Sequence, residues 1–198
     1  MVQNIQEVEK RALLNSSEYI AIKEKLERLG ASKNGKIHLK DVYFCSNNVR
    51  SFSEVEMDAV GSFSLRIREQ SKNEKDPEEV TINAKIITRK GDHNSWEEHE
   101  TKVRSAYEAS AIFKAIGFKP FCTIEKDRLT YKLDGVNILL EDIKDFGLGI
   151  EAEIITTKDE SDAAKAKIDN TMAKIGITNS KIVEKSITNI IMREKSHF

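Results

Sequence analysis

Pairs of like charges, spaced two residues apart, recur in segments of the chain that otherwise have the composition of β-strands. Side chains at positions i and i+2 of a strand lie on the same face of a sheet, so each pair places two equal charges side by side. Five segments carry such a pair: Glu7 and Glu9, Arg66 and Arg68, Glu98 and Glu100, Lys126 and Arg128, and Glu151 and Glu153. A single pair is usually a solvated sheet face. Its recurrence in five segments also raises the possibility of a cavity lined by charge.

Neighbouring like charges repel unless a ligand bridges them. Carboxylate pairs are relieved by Mg²⁺ or Mn²⁺, which take oxygen ligands, and clusters of Arg and Lys are relieved by phosphate. A metal-bound polyphosphate would neutralise both sets at once. Glu125 and Asp127 put charge on the opposite face of the strand that carries Lys126, which keeps the solvated-face interpretation open.

The overall charge limits the class of partner. The chain has 198 residues, with 32 Lys and Arg against 33 Asp and Glu, for a formal net charge of -1. Proteins that bind nucleic acid by counterion release usually carry a basic surface, so we expect no nucleic-acid partner. A polyanionic ligand would have to be a small molecule held at a local site.

The cysteines and the apolar segments indicate the compartment. Cys45 and Cys122 are the only cysteines and do not form a disulfide framework. No stretch approaches the roughly 18 apolar residues that a membrane helix needs, and the first ten residues contain no apolar targeting segment. We therefore expect a cytoplasmic protein with no membrane partner.

Strand and helix signals alternate along the chain. Apolar stripes and capping residues predict helices over 16–30, over 105–117 and from about 157, with Ser16 or Ser17 capping the first. The predicted strands are 4–14, 36–45, 62–69, 80–88, 96–103, 122–133, 136–141 and 149–156, with turns at 70–79 and 90–94 and a strand and short helix after 180. Long antiparallel strands with few helices predict an α+β fold whose sheet is large and closed or strongly curved.

Other catalytic chemistries find little support. The four histidines show no paired metal spacing, and neither cysteine lies in a CxxC motif. A P-loop motif and a nucleophile elbow are both absent from the sequence. The charged strands remain the candidate site.

Several of these segments resemble the CYTH family of triphosphate tunnel metalloenzymes, and within it the class IV adenylate cyclase branch. The resemblance spans roughly residues 5 to 190 and depends on the order and spacing of the motifs rather than on any one of them. The segments are EVEKR at 7–11, DVYF at 41–44, SLRIRE at 64–69, NAKIIT at 83–88, EEHE at 97–100, EKDRLTY at 125–131 and LLEDIKDFGLGIEAE at 139–153.

The resemblance implies a closed eight-stranded antiparallel β-barrel that forms a tunnel, with flanking helices, in a single domain over residues 1–198. It implies Mg²⁺ or Mn²⁺ on Glu7, Glu9, Glu100, Glu141, Glu151 and Glu153, with Asp142 as a rival to Glu141. It implies that the phosphates of a small-molecule triphosphate lie on Arg11, Arg66, Arg68, Lys85, Lys126 and Arg128. The implied catalytic residues are Glu7, Glu9, Arg11 and Lys85, and a homodimer is compatible with the resemblance.

The resemblance further implies cleavage of a phosphoanhydride bond in one of two ways. A cyclase converts ATP into cyclic AMP and pyrophosphate, whereas a triphosphatase hydrolyses tripolyphosphate, a nucleoside triphosphate or thiamine triphosphate. The chain departs from the family pattern at Arg11, where the family has lysine, and at Asn83, where it has threonine. The alternative hypothesis is therefore a module that binds polyphosphate or a nucleotide without catalysis.

Overall fold

The computed structural model describes residues 5–57, 59–72, 77–87 and 95–195. The strands in this part are β1 (Ile5–Leu14), β2 (Ser32–Ser46), β3 (Phe63–Ser71), β4 (Glu79–Ile87), β5 (Ser95–Val103), β6 (Phe118–Leu133), β7 (Val136–Ile143), β8 (Gly147–Thr157) and β9 (Ile182–Val183). The helices are α1 (Ser16–Arg28), α2 (Ala106–Ala115), α3 (Ser161–Ile175) and α4 (Ile187–Lys195). The turn predicted at 70–79 lies partly, and that at 90–94 wholly, outside the described residues.

The strands form one antiparallel sheet in the order β5-β4-β3-β2-β6-β7-β8-β1-β9. One edge of β1 pairs with β8 from Ile5 to Leu14. The other edge is shared between two strands, because Glu7 and Val8 pair with β5 and Arg11 and Ala12 pair with β9. The two ends of the row therefore meet at β1, although within the described residues β1 and β5 pair over only two residue pairs.

The predicted α+β class, with a large antiparallel sheet and flanking helices, is confirmed. The strand count differs from the predicted eight, since β9 adds a ninth strand beside β1. Alternation explains how the sheet can be apolar on one side and charged on the other. Val8 of β1 and Ile150 of β8 are fully buried in a core cluster that includes Ile168 of α3. In each strand, the residues immediately before and after these two point to the opposite face of the sheet.

Two groups of helices cover the apolar face of the sheet. Helix α3, with α1 beside it, packs on β1, β7 and β8. Helix α2 packs on β3, β4 and β6, where the rings of Phe113 and Phe44 meet edge to face with their centroids 5.1 Å apart. These contacts leave the other face, called the inner face below, to the charged side chains. None of the helices in the described ranges is long and apolar enough to cross a membrane.

The first helix cap differs from the prediction. Asn15 is the N-cap of α1: its Oδ1 accepts a hydrogen bond from the Glu18 backbone N–H at 2.9 Å, and the Glu18 carboxylate accepts one from the Asn15 N–H at 3.0 Å. The assignment to Ser16 or Ser17 was wrong because Glu18 stands three residues after Asn15, which is the spacing of a capping box. The third helix also begins later than predicted, at Ser161, after a short 3₁₀ turn at Lys158–Glu160.

The C-terminal helix lies against the inner face. Ile187, the first residue of α4, is 1% exposed, and a Cβ on Gly149 of β8 would lie 2.8 Å from its Cδ1 atom. A larger residue at this position would require the end of the Ile187 side chain to move. Gly149 thus allows the start of α4 to pack against the strand that carries Glu151 and Glu153.

Candidate active site

A cavity of about 400 Å³, called the ionic cavity below, lies on the inner face of the sheet. Its charged walls are formed by Glu7, Glu9, Glu98, Glu100, Glu151, Glu153, Arg66, Arg68, Lys85, Lys126 and Arg128. Of the residues predicted for the site, Arg11, Glu141 and its rival Asp142 do not line it. The charge pairs identified in the sequence therefore line one cavity rather than a solvated face of the sheet.

Three carboxylates of the ionic cavity lie close together. Oxygen atoms of Glu7, Glu9 and Glu153 all lie within 4.8 Å of one another. Strand register explains the meeting, because Glu9 of β1 lies directly opposite Glu153 of β8. Like charges directly opposite each other destabilise a strand pair, so this arrangement is unfavourable without a bound cation or proton.

Burial is the main reason why two glutamates of β8 have raised pKa values. Burial, followed by the charge of Glu7, raises the pKa of Glu153 to about 9. Burial and the charges of Glu141 and Glu9 also raise the pKa of Glu151. Glu153 therefore holds a proton at neutral pH in the metal-free protein.

Lys85 lies among the carboxylates. Its ammonium group contacts the Glu7 carboxylate and lies 3.6 Å from Glu98 Oε2 and 3.9 Å from Glu9 Oε2. Burial opposes its charge, but these carboxylates outweigh burial and raise the pKa of Lys85 well above its ordinary value. The resemblance assigned Lys85 to the phosphates; in this structure it lines the ionic cavity and neutralises the carboxylate cluster.

Arg66 and Arg68 of β3 form one cationic wall. Asp41 of β2 is fully buried and accepts two hydrogen bonds from Arg68, each 2.7 Å long, and Arg66 Nη1 lies 3.6 Å from the same carboxylate. Burial opposes the ionisation of Asp41, but the two guanidinium groups hold its pKa well below the usual range. Arg66 Nη1 also donates to the Tyr43 hydroxyl at 3.3 Å.

One guanidinium N–H group of this wall is available to donate a hydrogen bond to a ligand. Arg66 Nε is buried and has no hydrogen-bond acceptor within the described part of the chain. A buried N–H without an acceptor is costly unless a ligand or water supplies one. The donor belongs to a side chain that lines the ionic cavity, so an anion bound there could accept from it.

Lys126 and Arg128 of β6 form the second cationic wall around Glu141 of β7. The Glu141 carboxylate accepts from Lys126 Nζ at 2.8 Å and from Arg128 Nε at 2.8 Å. Burial opposes its ionisation, but the two cations lower the pKa of Glu141 to about 2. Glu141 is 1% exposed and lies behind these side chains, where it acts as their counter-ion. Asp142, its rival as a ligand, is exposed.

Arg11 is also placed differently from the implied role. It is fully buried, contacts the Glu9 carboxylate, and donates to the backbone carbonyl of Glu184 at 3.2 Å. Its Nε lies 4.0 Å from Glu151 Oε1. Arg11 thus orients two carboxylates from behind the cavity wall.

Three groups of the site were not identified as site residues from the sequence. Asp41 was noted only as part of a motif, and Glu98 only as one of a charge pair, yet Asp41 fixes both arginines of β3 and Glu98 lines the ionic cavity beside Lys85. The third group is the C-terminal segment, which contributes Ser186, Thr188, Asn189 and Met192. Polar residues on a short tail helix give no periodic signal that would have pointed to them.

The carboxylate cluster fits a hard divalent cation. Its donors are carboxylate oxygens, which Mg²⁺ and Mn²⁺ prefer, and they converge from two adjacent strands. Burial and the charge of Glu7 raise the pKa of Glu153, so its ionised form is disfavoured in the metal-free protein. A bound cation would supply the missing positive charge.

The chain is similar to known proteins along most of its length. The chain is 28% identical over 170 residues to the Methanocaldococcus jannaschii protein named "Putative adenylate cyclase MJ0240", a match that covers 82% of this chain and 86% of that protein. The solved structure of the PH1012 protein of Pyrococcus horikoshii has a TM-score of 0.74 at 26% identity and covers 91% of this chain and 96% of its own.

A second archaeal structure has the same fold. The PH1819 protein of Pyrococcus horikoshii has a TM-score of 0.77 at 24% identity, and the match covers 95% of this chain and 99% of that one. The CYTH domain family matches residues 6–186, which is nearly the whole chain. The motif resemblance is therefore confirmed, and the chain belongs to the CYTH domain family.

Proposed function

We propose that the protein is a divalent-metal-dependent enzyme that cleaves a phosphoanhydride bond in a small-molecule triphosphate. The observation that carries the proposal is the ionic cavity, in which a three-carboxylate cluster faces cations from two other strands. Membership of the CYTH family and the name of the Methanocaldococcus jannaschii relative support it. A metal-bound triphosphate offers a cation to the carboxylates and negative phosphate oxygens to the basic side chains.

We infer that the sheet wraps around the cavity as a tunnel. The pairing of Glu7 and Val8 with β5 gives β1 a neighbour on each side, and β5 is the far end of the strand row. The inward side chains of β1, β3, β4, β5, β6 and β8 then surround one space. Such a wall would exclude water from most of the bound phosphate chain and strengthen each ionic contact.

The basic residues would hold the phosphates. Arg66, Arg68, Lys126 and Arg128 present donors from two strands, and all four pair with Asp41 or Glu141. Positioned donors that require no rearrangement stabilise charge as it develops on the phosphoryl oxygens. Arg66 Nε, which is buried without an acceptor within the described residues, is a donor that the phosphates could use.

Glu7, Glu9 and Glu153 would hold the divalent cation. When bound, such a cation neutralises phosphate charge and polarises the phosphorus that is attacked. Glu153 must release its proton to become a ligand, and Lys85 must yield part of its contact with Glu7. Arg11 keeps Glu9 in place throughout, since it is fully buried behind that carboxylate.

Two nucleophiles are compatible with this arrangement. Water could attack the terminal phosphorus, break its bond to the bridging oxygen and release orthophosphate. Alternatively, the ribose 3′-hydroxyl of ATP could attack the α-phosphorus, form the cyclic ester and release pyrophosphate. Both outcomes use the same phosphate and metal contacts, so the products distinguish them.

Incubation of the protein with ATP, tripolyphosphate or thiamine triphosphate, each with Mg²⁺ or Mn²⁺, tests the proposal. Separation of the products is expected to show either orthophosphate or cyclic AMP with pyrophosphate, and chelation of the metal should abolish turnover. Metal-dependent binding with no product from any of the three would contradict catalysis and favour the binding module. Absence of binding as well would contradict a triphosphate site.

A further inference from the structure

Two side chains that line the ionic cavity each have a buried polar atom without a hydrogen-bond partner in the described part of the chain. One is Nε of Arg66, a donor, and the other is Oδ1 of Asn189 in α4, an acceptor. Asn189 is only 6% exposed. A buried polar atom without a partner destabilises the fold, so its presence in a cavity wall calls for a ligand that completes it. The acceptor of Asn189 needs a group that can donate a hydrogen bond.

The first turn of α4 holds Asn189 in place. Ser186 caps the helix, because its Oγ accepts a hydrogen bond from the Asn189 backbone N–H at 3.0 Å. Ile187 is buried against Gly149 of β8. The Asn189 side chain therefore extends from a fixed backbone, which a group that positions a reactant requires.

Arg11 links the start of α4 to the carboxylate cluster. It donates to the backbone carbonyl of Glu184, just before α4, and also contacts the Glu9 carboxylate. Helix α4 packs on β1, which carries carboxylates of the cluster, and on β6, which carries the second cationic wall. Asn189 is therefore on a helix that contacts both the strand of the metal ligands and a strand of the phosphate ligands.

The phosphates of a bound substrate cannot satisfy Asn189, since ionised phosphate oxygens accept hydrogen bonds and do not donate them. The ammonium groups of the cavity have other partners: Lys85 contacts Glu7, and Lys126 Nζ donates to Glu141 at 2.8 Å. A water molecule can donate one proton to Oδ1 and keep a lone pair for attack on phosphorus. In some GTP-hydrolysing proteins a side-chain amide orients the attacking water in this way.

A neutral acceptor suits this position better than a carboxylate would. Glu7, Glu9 and Glu153 already bring three carboxylates together, and a further negative charge in the cavity would repel both these groups and the phosphates. The amide oxygen accepts a hydrogen bond without ionising. Asn189 can therefore hold a water molecule beside the bound phosphates without weakening their binding.

We propose that Asn189 orients the water molecule that attacks the terminal phosphorus of a triphosphate in the ionic cavity. The inference rests on the proposed function and narrows it, because it makes hydrolysis rather than cyclisation the reaction. The water oxygen bonds to the terminal phosphorus while the bond from that phosphorus to the bridging oxygen breaks, and the electron pair of the broken bond stays on the departing product. Both water protons leave with the orthophosphate, which passes one to the solvent. Asn189 accepts a hydrogen bond and takes no proton.

Two substitutions of similar size test this role, because Asn189→Leu removes the acceptor and Asn189→Asp keeps one. With tripolyphosphate and Mg²⁺, Asn189→Leu is expected to lower kcat about 100-fold and to leave KM within about twofold. Its affinity for methylene-bridged tripolyphosphate, measured by calorimetry, should be unchanged. Its melting temperature should be at least that of the wild type, because no unpartnered acceptor remains buried. Asn189→Asp should recover at least about tenfold of the lost kcat, with a higher KM because its charge repels the phosphates.

The products and the analogue separate failure of this inference from failure of the proposed function. If the wild-type protein forms no product from tripolyphosphate or ATP, both are wrong. If cyclic AMP and pyrophosphate are its only products, the proposed function stands and the inference is wrong.

The variants decide the role of the side chain itself. Wild-type kcat in Asn189→Leu, or an affinity for the analogue that falls as far as kcat, would show that Asn189 does not orient the water. An Asn189→Asp variant as slow as Asn189→Leu would contradict the role of an acceptor. Glu194→Ala, at an exposed residue of α4 that does not line the ionic cavity, is the matched control and should change neither kcat nor KM.

Discussion

Glu153→Gln is expected to lower metal-dependent turnover by roughly 100-fold or more while leaving the metal-free protein at least as stable as the wild type. Glu153 is one of the three converging carboxylates, and its pKa is raised to about 9 from an ordinary value of 4.5. It is therefore protonated in the folded protein and ionised in the unfolded chain at neutral pH. Glutamine has the shape of the protonated form and removes the cost of taking up a proton on folding at neutral pH.

The pH dependence of metal binding tests the reason for that result. Since a cation must displace the proton of Glu153, wild-type affinity for Mn²⁺ should rise roughly tenfold per pH unit as the pH approaches 9, and the variant should show a shallower slope. Calorimetric titration at several pH values measures both. Glu97→Gln, an exposed glutamate of β5, is the control and should behave as wild type. A variant with unaltered metal affinity and turnover would exclude Glu153 as a ligand.

Glu141→Gln should show the opposite pattern, with a large loss of stability and little direct loss of metal affinity. Removal of one partner from a buried ion pair costs about 3–5 kcal/mol because the other partner stays buried and charged. Glu141 accepts from both Lys126 and Arg128, so its loss leaves Lys126 without this partner and Arg128 with the longer, 3.8 Å contact to Glu151. Chemical denaturation measures the free energy of unfolding, and calorimetry measures metal affinity.

Asp142→Asn is the matched control for that experiment. Asp142 is the next residue on β7 and is exposed, so its change should alter the unfolding free energy by less than about 0.5 kcal/mol. Excess tripolyphosphate should restore part of the stability of Glu141→Gln, because phosphate replaces the missing anion beside Lys126 and Arg128. If Glu141→Gln were as stable as the control but bound metal poorly, Glu141 would be a ligand rather than a counter-ion.

Local periodicity was sufficient to find the face of each strand. Because side chains alternate with a period of two, Glu7 with Glu9 and Glu151 with Glu153 could be assigned to one side without knowledge of the fold. The order of the motifs then identified the family, and the structure brings both pairs to the ionic cavity. The assignment of faces needed only residues that are close in sequence, whereas the identification of the family used the order of motifs along the chain.

Contacts across the sheet could not be predicted in this way. The pairing of Asp41 with Arg68, of Lys85 with Glu7, and of Glu141 with Lys126 depends on strand register, which is set by turns and by long-range packing. Arg11 was assigned to the phosphates through the family resemblance of the segment EVEKR, but in the structure it pairs with β9 and donates to the Glu184 carbonyl. Alternation along a strand predicts the sheet face on which a side chain lies, but not the residues that contact it there.

The most direct measurement is a crystal structure of the protein with Mn²⁺ and methylene-bridged tripolyphosphate, in which the anomalous signal locates the metal. The expected result is a manganese peak among Glu7, Glu9 and Glu153, with the phosphate chain extending towards Arg66, Arg68, Lys126 and Arg128. Manganese away from the three carboxylates, or phosphates bound outside the ionic cavity, would contradict the proposed metal–triphosphate site.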